Sequence, residues 1–322
     1  MKDAQADSAR LTEIAQQLES RIRDLEESLA AVGLRESQLS AIYRRDRELA
    51  AEFERLPAAL DADAVAAHAT RAINAATLHL SPFPHIIVEH AWPEAFFEAL
   101  LTGIPPPELF ADRAVNKRRL VVPLKWAPAY STCVWNFLAQ DVFARITPAI
   151  VNRFRAPLDE WFLSQWPLPP DAPTGAVRFD ATNGRILLRH RGYNLPPHRD
   201  PKWGIVTCLQ YLSRPGDSER WGTQLYRVDH DTEAPHVSAN WIKAESCSLE
   251  KEVPFRRNSM FVFMNSSGAH GARIPEDAEP ADLERYAYQC RIGPDQRSMS
   301  ELLDLLPEQR RAVWMGRDKD YG

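Results

Sequence analysis

The sequence predicts an α+β protein, mainly β with flanking helices, in which the main domain follows a long N-terminal helical segment. Residues 8–56 are rich in Ala, Glu, Leu, Arg and Gln, with one Gly and no Pro, which indicates helix. From Ser81 onward, Pro and Gly separate short runs of β-branched and aromatic residues, which are typical of strands. Because strands follow strands and helices gather before them, the sheets are expected to be antiparallel rather than doubly wound.

The N-terminal segment, residues 1–56, carries a stripe of apolar residues at helical spacing. The stripe recurs in steps of three and four, a coiled-coil tendency, at Leu11, Ile14, Leu18, Ile22, Leu25, Leu29 and Val32. The step from Leu18 to Ile22 departs from a strict heptad, so a short or imperfect coil is expected, and Gly33 is a candidate break. An apolar stripe must be buried. Two alternatives stay open: a homo-oligomer formed through residues 8–56, and packing against the chain's own domain.

The rest of the chain divides into three predicted parts. Residues 57–80 form a connecting helix after Pro57, and residues 81–297 form the main domain. Residues 298–322 form a C-terminal helix and tail. This helix is expected to begin at Ser298, because "SMSE" has the Ser-x-x-Glu spacing of a capping box.

Within the main domain, apolar runs between turn residues predict the individual elements. Residues 93–103 and 136–162 are predicted helical, with breaks at Pro148 and Pro157. The predicted strands are 84–90, 176–181, 184–190, 204–212, 223–228, 259–265 and 285–292.

Composition and charge exclude several classes of partner. A net charge of -5 over 322 residues gives no general attraction to nucleic acid or acidic lipid. The N-terminus lacks the apolar core of a signal peptide, and no run is long enough to cross a membrane. The cysteines form no CxxC pair, which argues against a disulfide framework or zinc knuckle; they are Cys133, Cys208, Cys247 and Cys290. A cytoplasmic protein with no nucleic-acid or membrane partner is expected.

The stretch "LPPHRDPKWGIVTCLQYL" (195–212) places His198 and Asp200 two residues apart, just before an apolar strand. A two-residue offset returns side chains to the same side of an extended chain, so both can bind one ion. A third candidate ligand, His270, follows the apolar strand over 259–265. Two His and one carboxylate form the facial set that holds Fe(II) and leaves positions open for substrates and oxygen. The sequence therefore predicts an iron site.

Four stretches together resemble the Fe(II)/2-oxoglutarate-dependent oxygenases, in the prolyl-hydroxylase-like branch, over about residues 82–293. They are "PFPHIIVEHAWP" (82–93), "RGYNLPPHRD" (191–200), "WGTQLYRV" (221–228) and "NSMFVFMNSSGAHG" (258–271). The resemblance implies a double-stranded β-helix, or jelly roll, with Fe(II) at one open end. It also implies 2-oxoglutarate as cosubstrate and O2 as oxidant.

The resemblance further implies a basic residue, on the strand after the distal His, that binds the far carboxylate of 2-oxoglutarate. Arg285 matches best by position, but the gap from His270 is long, so Arg291 and Arg273 are alternatives. Arg285 and Arg291 are an even number of residues apart, so strand alternation does not choose between them. Further residues are expected to line the pocket and to contact 2-oxoglutarate or substrate: His190, Tyr193 and Arg189.

The resemblance implies a dioxygenase that hydroxylates an unactivated C–H bond and releases succinate and CO2. Because the carboxylate ligand Asp200 is present, hydroxylation is expected rather than halogenation. The favoured substrate is a small molecule or glycan precursor. Two alternatives remain: a hydroxylase of a protein side chain, prolyl or similar, recruited through the N-terminal helices, and a non-catalytic jelly roll used for assembly or binding.

Overall fold

The computed structural model describes residues 2–113, 117–169, 173–175, 177–182, 184–229, 240–265 and 268–315, with side chains described from Gln16 onward. Leu11 and Ile14 of the predicted stripe therefore lie outside the described side chains. The α-helices are α1 (Lys2–Glu48), α2 (Ala50–Arg55), α3 (Ala62–Ala75), α4 (Glu94–Thr102), α5 (Ala129–Asn136), α6 (Phe143–Arg153), α7 (Arg155–Gln165), α8 (Gln296–Asp304) and α9 (Glu308–Met315). A π-helical stretch, Phe137–Val142, joins α5 to α6. None of the described helices is long and apolar enough to span a membrane.

The strands form two antiparallel sheets. They are β1 (His85–Val88), β2 (Ala111–Arg113), β3 (Lys117–Val121), β4 (Phe179–Ala181), β5 (Arg185–Arg189), β6 (Asn194–Arg199), β7 (Val206–Tyr211), β8 (Thr223–Val228), β9 (Asn240–Trp241), β10 (Cys247–Val253), β11 (Met260–Met264), β12 (Ala269–Arg273) and β13 (Arg285–Pro294). One sheet has the order β1-β11-β7-β13-β5-β3-β2, with β4 paired to β13. The other has the order β10-β8-β12-β6-β9.

The central strands follow the connectivity of a jelly roll. β5, β7, β11 and β13 lie in the first sheet, whereas β6, β8, β10 and β12 lie in the second. The chain thus crosses between the sheets repeatedly and pairs its first central strand, β5, with its last, β13. Two facing antiparallel sheets with this strand order form a jelly roll. The α+β class with antiparallel sheets is confirmed.

The central strands of the first sheet, β7, β11 and β13, are buried on both faces. On β7, β11 and β13, the even-numbered apolar residues pack against the helices in one large apolar cluster. On the opposite face of the same strands, Leu209, Phe261 and Ala287 point toward the other sheet. Strands covered on both sides read as continuous apolar runs rather than alternating ones. This explains why "MFVFM" in β11 is buried at every position.

The long helix α1 has two parts with different surroundings. Near its C-terminus Ala41 is 1% exposed, and the Arg45 guanidinium donates to the Thr102 carbonyl at 3.0 Å. Residues 16–37, in contrast, are exposed almost without exception. The helix continues through Gly33, so the proposed break there is wrong. Packing on the chain's own domain therefore holds for the C-terminal end of α1 and not for the stripe.

Three helix boundaries differ from the prediction, namely those expected at Pro148, Pro157 and Ser298. Pro148 lies inside α6 and Pro157 lies in the first turn of α7, where a missing N–H is tolerated. The break between these helices falls instead at Phe154 (φ -98°, ψ 11°). The C-terminal helix α8 begins at Gln296 and not at Ser298, because the Asp295 side chain accepts the Ser298 backbone N–H at 2.7 Å.

The residues before His198, which the sequence analysis did not assign to a strand, form β6, and this strand contains Pro196 and Pro197. Proline cannot donate to a ladder and is confined to edges and bulges. Here the pairing with β12 shifts register between His270 and Ala272, opposite the prolines. On the other side of β6, β9 pairs only with His198 and Arg199. The sequence analysis also missed β2, β3, β9, β10 and β12.

Candidate metal centre

Strand pairing brings the three predicted ligands together. His198 near the end of β6 lies directly opposite His270 of β12 in the register of the two strands, and Asp200 follows β6. All three are buried, with 6%, 3% and 7% of the surface of His198, Asp200 and His270 exposed. One ligand atom from each lies within 4.8 Å of the others. Three donors from separate segments thus converge on one point.

The His198 ring is oriented so that one nitrogen faces the cluster. Its Nδ1 lies 3.0 Å from the Pro196 carbonyl oxygen, which accepts a hydrogen bond from Nδ1–H. That bond fixes the tautomer and leaves the Nε2 lone pair for a ligand. The ring centroid is 4.2 Å from that of His270, and His270 packs at 4.6 Å against Phe263.

Both carboxylate oxygens of Asp200 are held. The Thr207 hydroxyl donates to Oδ2 at 2.7 Å, and the Arg291 guanidinium donates to Oδ1 at 2.7 Å. The Asn265 side-chain amide donates to the carbonyls of Asp200 and, at 3.1 Å, Pro201, which fixes the backbone of the loop. These contacts set the carboxylate plane before any ligand arrives.

Electrostatics hold these groups in the protonation states that bind metal. Burial alone would raise the pKa of the Asp200 carboxyl, but the neighbouring positive charge of Arg291 holds it well below its usual range. Burial, together with the proximity of His198, lowers the pKa of His270 to about 3. At neutral pH the site therefore presents a carboxylate and a neutral imidazole.

The donor set fits a divalent transition metal. Two imidazole nitrogens and one carboxylate match the facial set of non-haem Fe(II) enzymes, which leaves coordination positions open. The group contains no thiolate, unlike structural zinc sites rich in Cys. Within the described part of the chain, this is the cluster of potential ligands close enough to hold a metal.

Two of the three arginines that the resemblance suggested for 2-oxoglutarate, Arg285 and Arg291, have partners within the protein. Arg291 binds Asp200, as above. Arg285 is 1% exposed; it donates to the Ser218 carbonyl at 2.8 Å and lies 3.4 Å from the Asp217 carboxylate. Arg273, at the end of β12, is exposed. Their roles as 2-oxoglutarate ligands remain predictions.

Arg189 and Tyr193 form a buried polar pair beside the metal-ligand cluster. Arg189 is 6% exposed, and its guanidinium lies 5.1 Å from the centre of the Tyr193 ring. Neither Arg189 Nε nor the Tyr193 hydroxyl has a hydrogen-bond partner in the structure. The Arg189 charge is one of the causes that lower the pKa of His270, so the guanidinium lies within electrostatic reach of the cluster. Buried polar atoms without protein partners are available to hydrogen-bond a ligand or a water molecule.

Arg189 was only a secondary candidate in the sequence. The signal that identifies it is strand alternation: Leu187 on β5 faces the jelly-roll interior, so Arg189 does too. Arg189 lies directly opposite Arg285 in the register of β5 and β13. The Nε atom of Arg285 also lacks a hydrogen-bond partner.

Two further residues lie beside members of this site: His190 contacts Tyr193, and Trp241 packs next to His198. His190 is the first residue after β5, and its carbonyl accepts the Tyr193 backbone N–H at 3.2 Å, a turn contact. Trp241 on β9 is 56% exposed, and its ring centroid is 5.1 Å from that of His198. Sequence analysis did not single out Trp241, because it lies in a two-residue strand with no motif around it.

Comparison with known proteins finds similar solved structures at low sequence identity. No protein-family model and no curated protein matches the sequence. Solved structures that resemble the chain include HygX from Streptomyces hygroscopicus with nickel, 2-oxoglutarate and hygromycin B bound (15% identity, TM-score 0.38, 66% of this chain and 83% of that chain). A Pseudomonas putida prolyl-4-hydroxylase is 15% identical (TM-score 0.39, 70% and 98% covered). A prolyl 4-hydroxylase from Phytophthora capsici is 14% identical (TM-score 0.40, 78% and 76% covered).

Proposed function

We propose that the chain is an Fe(II)- and 2-oxoglutarate-dependent dioxygenase that hydroxylates a C–H bond, with residues 81–297 as the catalytic domain. The observation that carries this proposal is the convergence of His198, Asp200 and His270 within 4.8 Å. A buried cluster of this composition, with open positions for cosubstrate and oxygen, suits non-haem iron chemistry.

The residues of the chain prepare the site for the metal. His198 Nε2, His270 and Asp200 would hold Fe(II), and Thr207 and Arg291 keep the Asp200 carboxylate in place. Bound iron would activate O2 as the oxidant, so that one oxygen atom enters succinate as 2-oxoglutarate loses CO2 and the other enters the hydroxylated substrate. The protein supplies position, charge and exclusion of water.

Arg189 and Tyr193 are the residues we propose for the distal carboxylate of 2-oxoglutarate, with Arg285 beside them. A buried dicarboxylate needs its far charge neutralised, and guanidinium does this through paired hydrogen bonds. The free Arg189 Nε and Tyr193 hydroxyl would supply donors. In this proposal Arg291 serves the metal ligand rather than the cosubstrate.

A small molecule or glycan precursor is the substrate class we propose. The support is Trp241, whose exposed ring lies next to the metal ligand His198 and offers a flat apolar face to a sugar or another ring. Hydroxylation of a protein side chain is the alternative. The two are separated by supplying 2-oxoglutarate and following succinate release with sugar-containing small molecules and with prolyl peptides.

The first test needs no substrate. Fe(II) and then 2-oxoglutarate are added without oxygen, and the visible metal-to-ligand charge-transfer band is recorded. We expect a band in the wild-type protein, loss of the band in Asp200→Ala, and an unchanged band in Asp180→Ala, a control at an exposed carboxylate on β4. A folded wild-type protein without a band would contradict the proposal and favour the non-catalytic jelly roll.

A further inference from the structure

The N-terminal part of α1 extends beyond the rest of the described chain with its apolar side chains uncovered. The exposed fractions are 56% for Leu18, 53% for Ile22, 63% for Leu25, 73% for Leu29 and 57% for Val32. None of residues 16–37 is buried, so no described part of the chain covers this face. A patch of this size and regularity on one helix indicates an interaction surface.

The spacing of these residues is a heptad repeat. One series recurs every seven residues, as at d positions: Leu11, Leu18, Leu25, Val32 and Leu39. A second series, four residues after each of the first three d positions, holds Ala15, Ile22 and Leu29, as at a positions, and the next a position holds Glu36. Between Leu11 and Val32 the steps alternate strictly between four and three when the stripe passes through Ala15 rather than Ile14. The apparent irregularity at Leu18 and Ile22 therefore disappears, and a sustained 3.5-residue period predicts a left-handed coiled coil.

The charged residues beside the apolar seam favour pairing with a second copy of this chain in parallel orientation. In this register the e positions hold Glu19 and Glu26, and the g positions hold Arg21 and Arg35. In a parallel pair, g of one helix meets e of the next heptad on the other, so Arg21 faces Glu26 of the second copy. An antiparallel pair would place e beside e and g beside g, which brings like charges together. The chain is thus complementary to itself in parallel.

We propose that residues 11–32 of α1 form a parallel two-stranded coiled coil with a second copy of this chain. The apolar seam is about 32 Å long at 1.5 Å per residue, and it ends before Glu36. Ile22 at an a position, with Leu18 and Leu25 at d positions, favours two strands over three or four. This proposal does not depend on the proposed catalytic activity.

The docked end of α1 determines what the coil does to the domains. Its Gln38 side chain donates to the Glu108 carbonyl at 3.1 Å, and Asp46 accepts the Ala129 backbone N–H at 2.6 Å. The helix thus leaves the domain from a fixed point near residue 38. Because the pair is parallel, both jelly-roll domains lie at the same end of the coil, and the assembly presents two metal centres.

The first experiment measures the mass of the full chain by light scattering at several concentrations. We expect twice the chain mass of 36.6 kDa for the wild type. Leu25→Glu places two negative charges in the seam and should give the mass of one chain. Ser20→Glu, at an outward f position, is the matched control and should leave the dimer intact. Both positions are exposed in a single chain, so circular dichroism should show folded protein in each variant.

A second experiment tests direction. Arg21→Glu replaces two attractive contacts by repulsive ones and should raise the dimer dissociation constant roughly tenfold. Glu26→Arg should do the same, and the double variant should restore wild-type affinity. In a Cys133→Ser, Cys247→Ser background, which removes the more accessible thiols, Leu18→Cys should crosslink on oxidation. Ser20→Cys, the f-position control, should not.

The outcomes of these experiments test the dimer, its interface and its direction separately. A wild-type chain that stays monomeric at every concentration would overturn the proposal and assign the stripe to a different partner. A dimer that survives Leu25→Glu would place the interface elsewhere. A dimer in which the double charge variant is not restored and Leu18→Cys does not crosslink would contradict the parallel direction.

Discussion

Arg291 and Asp200, 91 positions apart in the chain, are joined by a hydrogen-bonded ion pair of 2.7 Å. Both side chains are nearly inaccessible, at 6% and 3% exposure. Gly204 makes room for this arrangement, because a Cβ there would lie 2.3 Å from Arg291 Cδ. The structure thus supplies a buried countercharge for the carboxylate that the proposed metal would bind.

Removing Arg291 is expected to destabilise the metal-free protein far more than the metal-bound protein. Arg291→Ala leaves the buried Asp200 carboxylate without its cation, which typically costs about 3–5 kcal/mol of unfolding free energy. A bound divalent ion neutralises the same carboxylate and should recover part of the loss. The measurement is urea unfolding with a chelator and with Mn²⁺. An equal loss in both conditions would show that the pair and the metal do not share Asp200.

The Thr207 hydroxyl is expected to tune metal affinity through the other oxygen of Asp200. Thr207→Val keeps the shape of the side chain but removes the donor to Oδ2. Loss of such an outer contact typically weakens metal binding by about 10–100-fold. Thr207→Ser retains the hydroxyl and should bind as the wild type does. Titration with Co²⁺ under anaerobic conditions compares the three proteins, and equal affinities in all of them would contradict a positioning role.

The candidate metal ligands could be predicted from sequence, whereas the contacts that orient them could not. His198 and Asp200 are two residues apart before a strand, and His270 follows another strand, so local spacing sufficed. Arg285 and Arg291 lie on the same face of β13, so strand alternation does not distinguish them. They differ in their position along the strand. One reaches Asp217 and the other reaches Asp200.

Elements with strong local signals were predicted, and those set by tertiary contacts were missed. Strand β8 was predicted with its observed limits, because apolar and β-branched residues fill it between turns. Strand β6 contains two prolines, so its local preference opposes the ladder that β12 imposes. The start of α8 was misplaced because Ser298 and Asp295 are both good caps, and the structure uses Asp295.

Arg189 is expected to matter more than Arg285 for 2-oxoglutarate binding. Arg189→Ala removes the guanidinium whose Nε has no partner in the protein, so the cosubstrate loses its proposed ion pair. We expect the concentration of 2-oxoglutarate that half-saturates the anaerobic charge-transfer band to rise at least roughly tenfold, the scale of a charged hydrogen bond. Arg189→Lys should recover part of the lost affinity for 2-oxoglutarate. Arg285→Lys should raise the half-saturating concentration less than Arg189→Lys does. The reverse order would return the role to Arg285, as the sequence resemblance suggested.

His85 is expected to make the stability of the metal-free protein depend on pH. This side chain is 1% exposed; its Nδ1 lies 2.8 Å from the Phe83 carbonyl, and its Nε2 has no hydrogen-bond partner. Burial lowers the pKa of His85 below its usual 6.5, so the unfolded chain binds the proton more readily than the folded one does. The unfolding free energy should therefore fall as the pH drops below 6.5, by at most about 1.4 kcal/mol per pH unit.

The contribution of His85 can be isolated by comparing His85→Asn with the wild type in urea at pH 7.5 and pH 5.5, with a chelator present. The variant should lose less unfolding free energy between the two pH values, because it has no imidazole to protonate at this position. His90→Asn, at an exposed site, is the matched control and should keep the wild-type dependence. Any part contributed by His270 is common to all three proteins and cancels. If His85→Asn shows the same slope as the wild type, the folded protein takes up the proton at His85 without penalty, and the buried imidazole must find a partner for its second N–H.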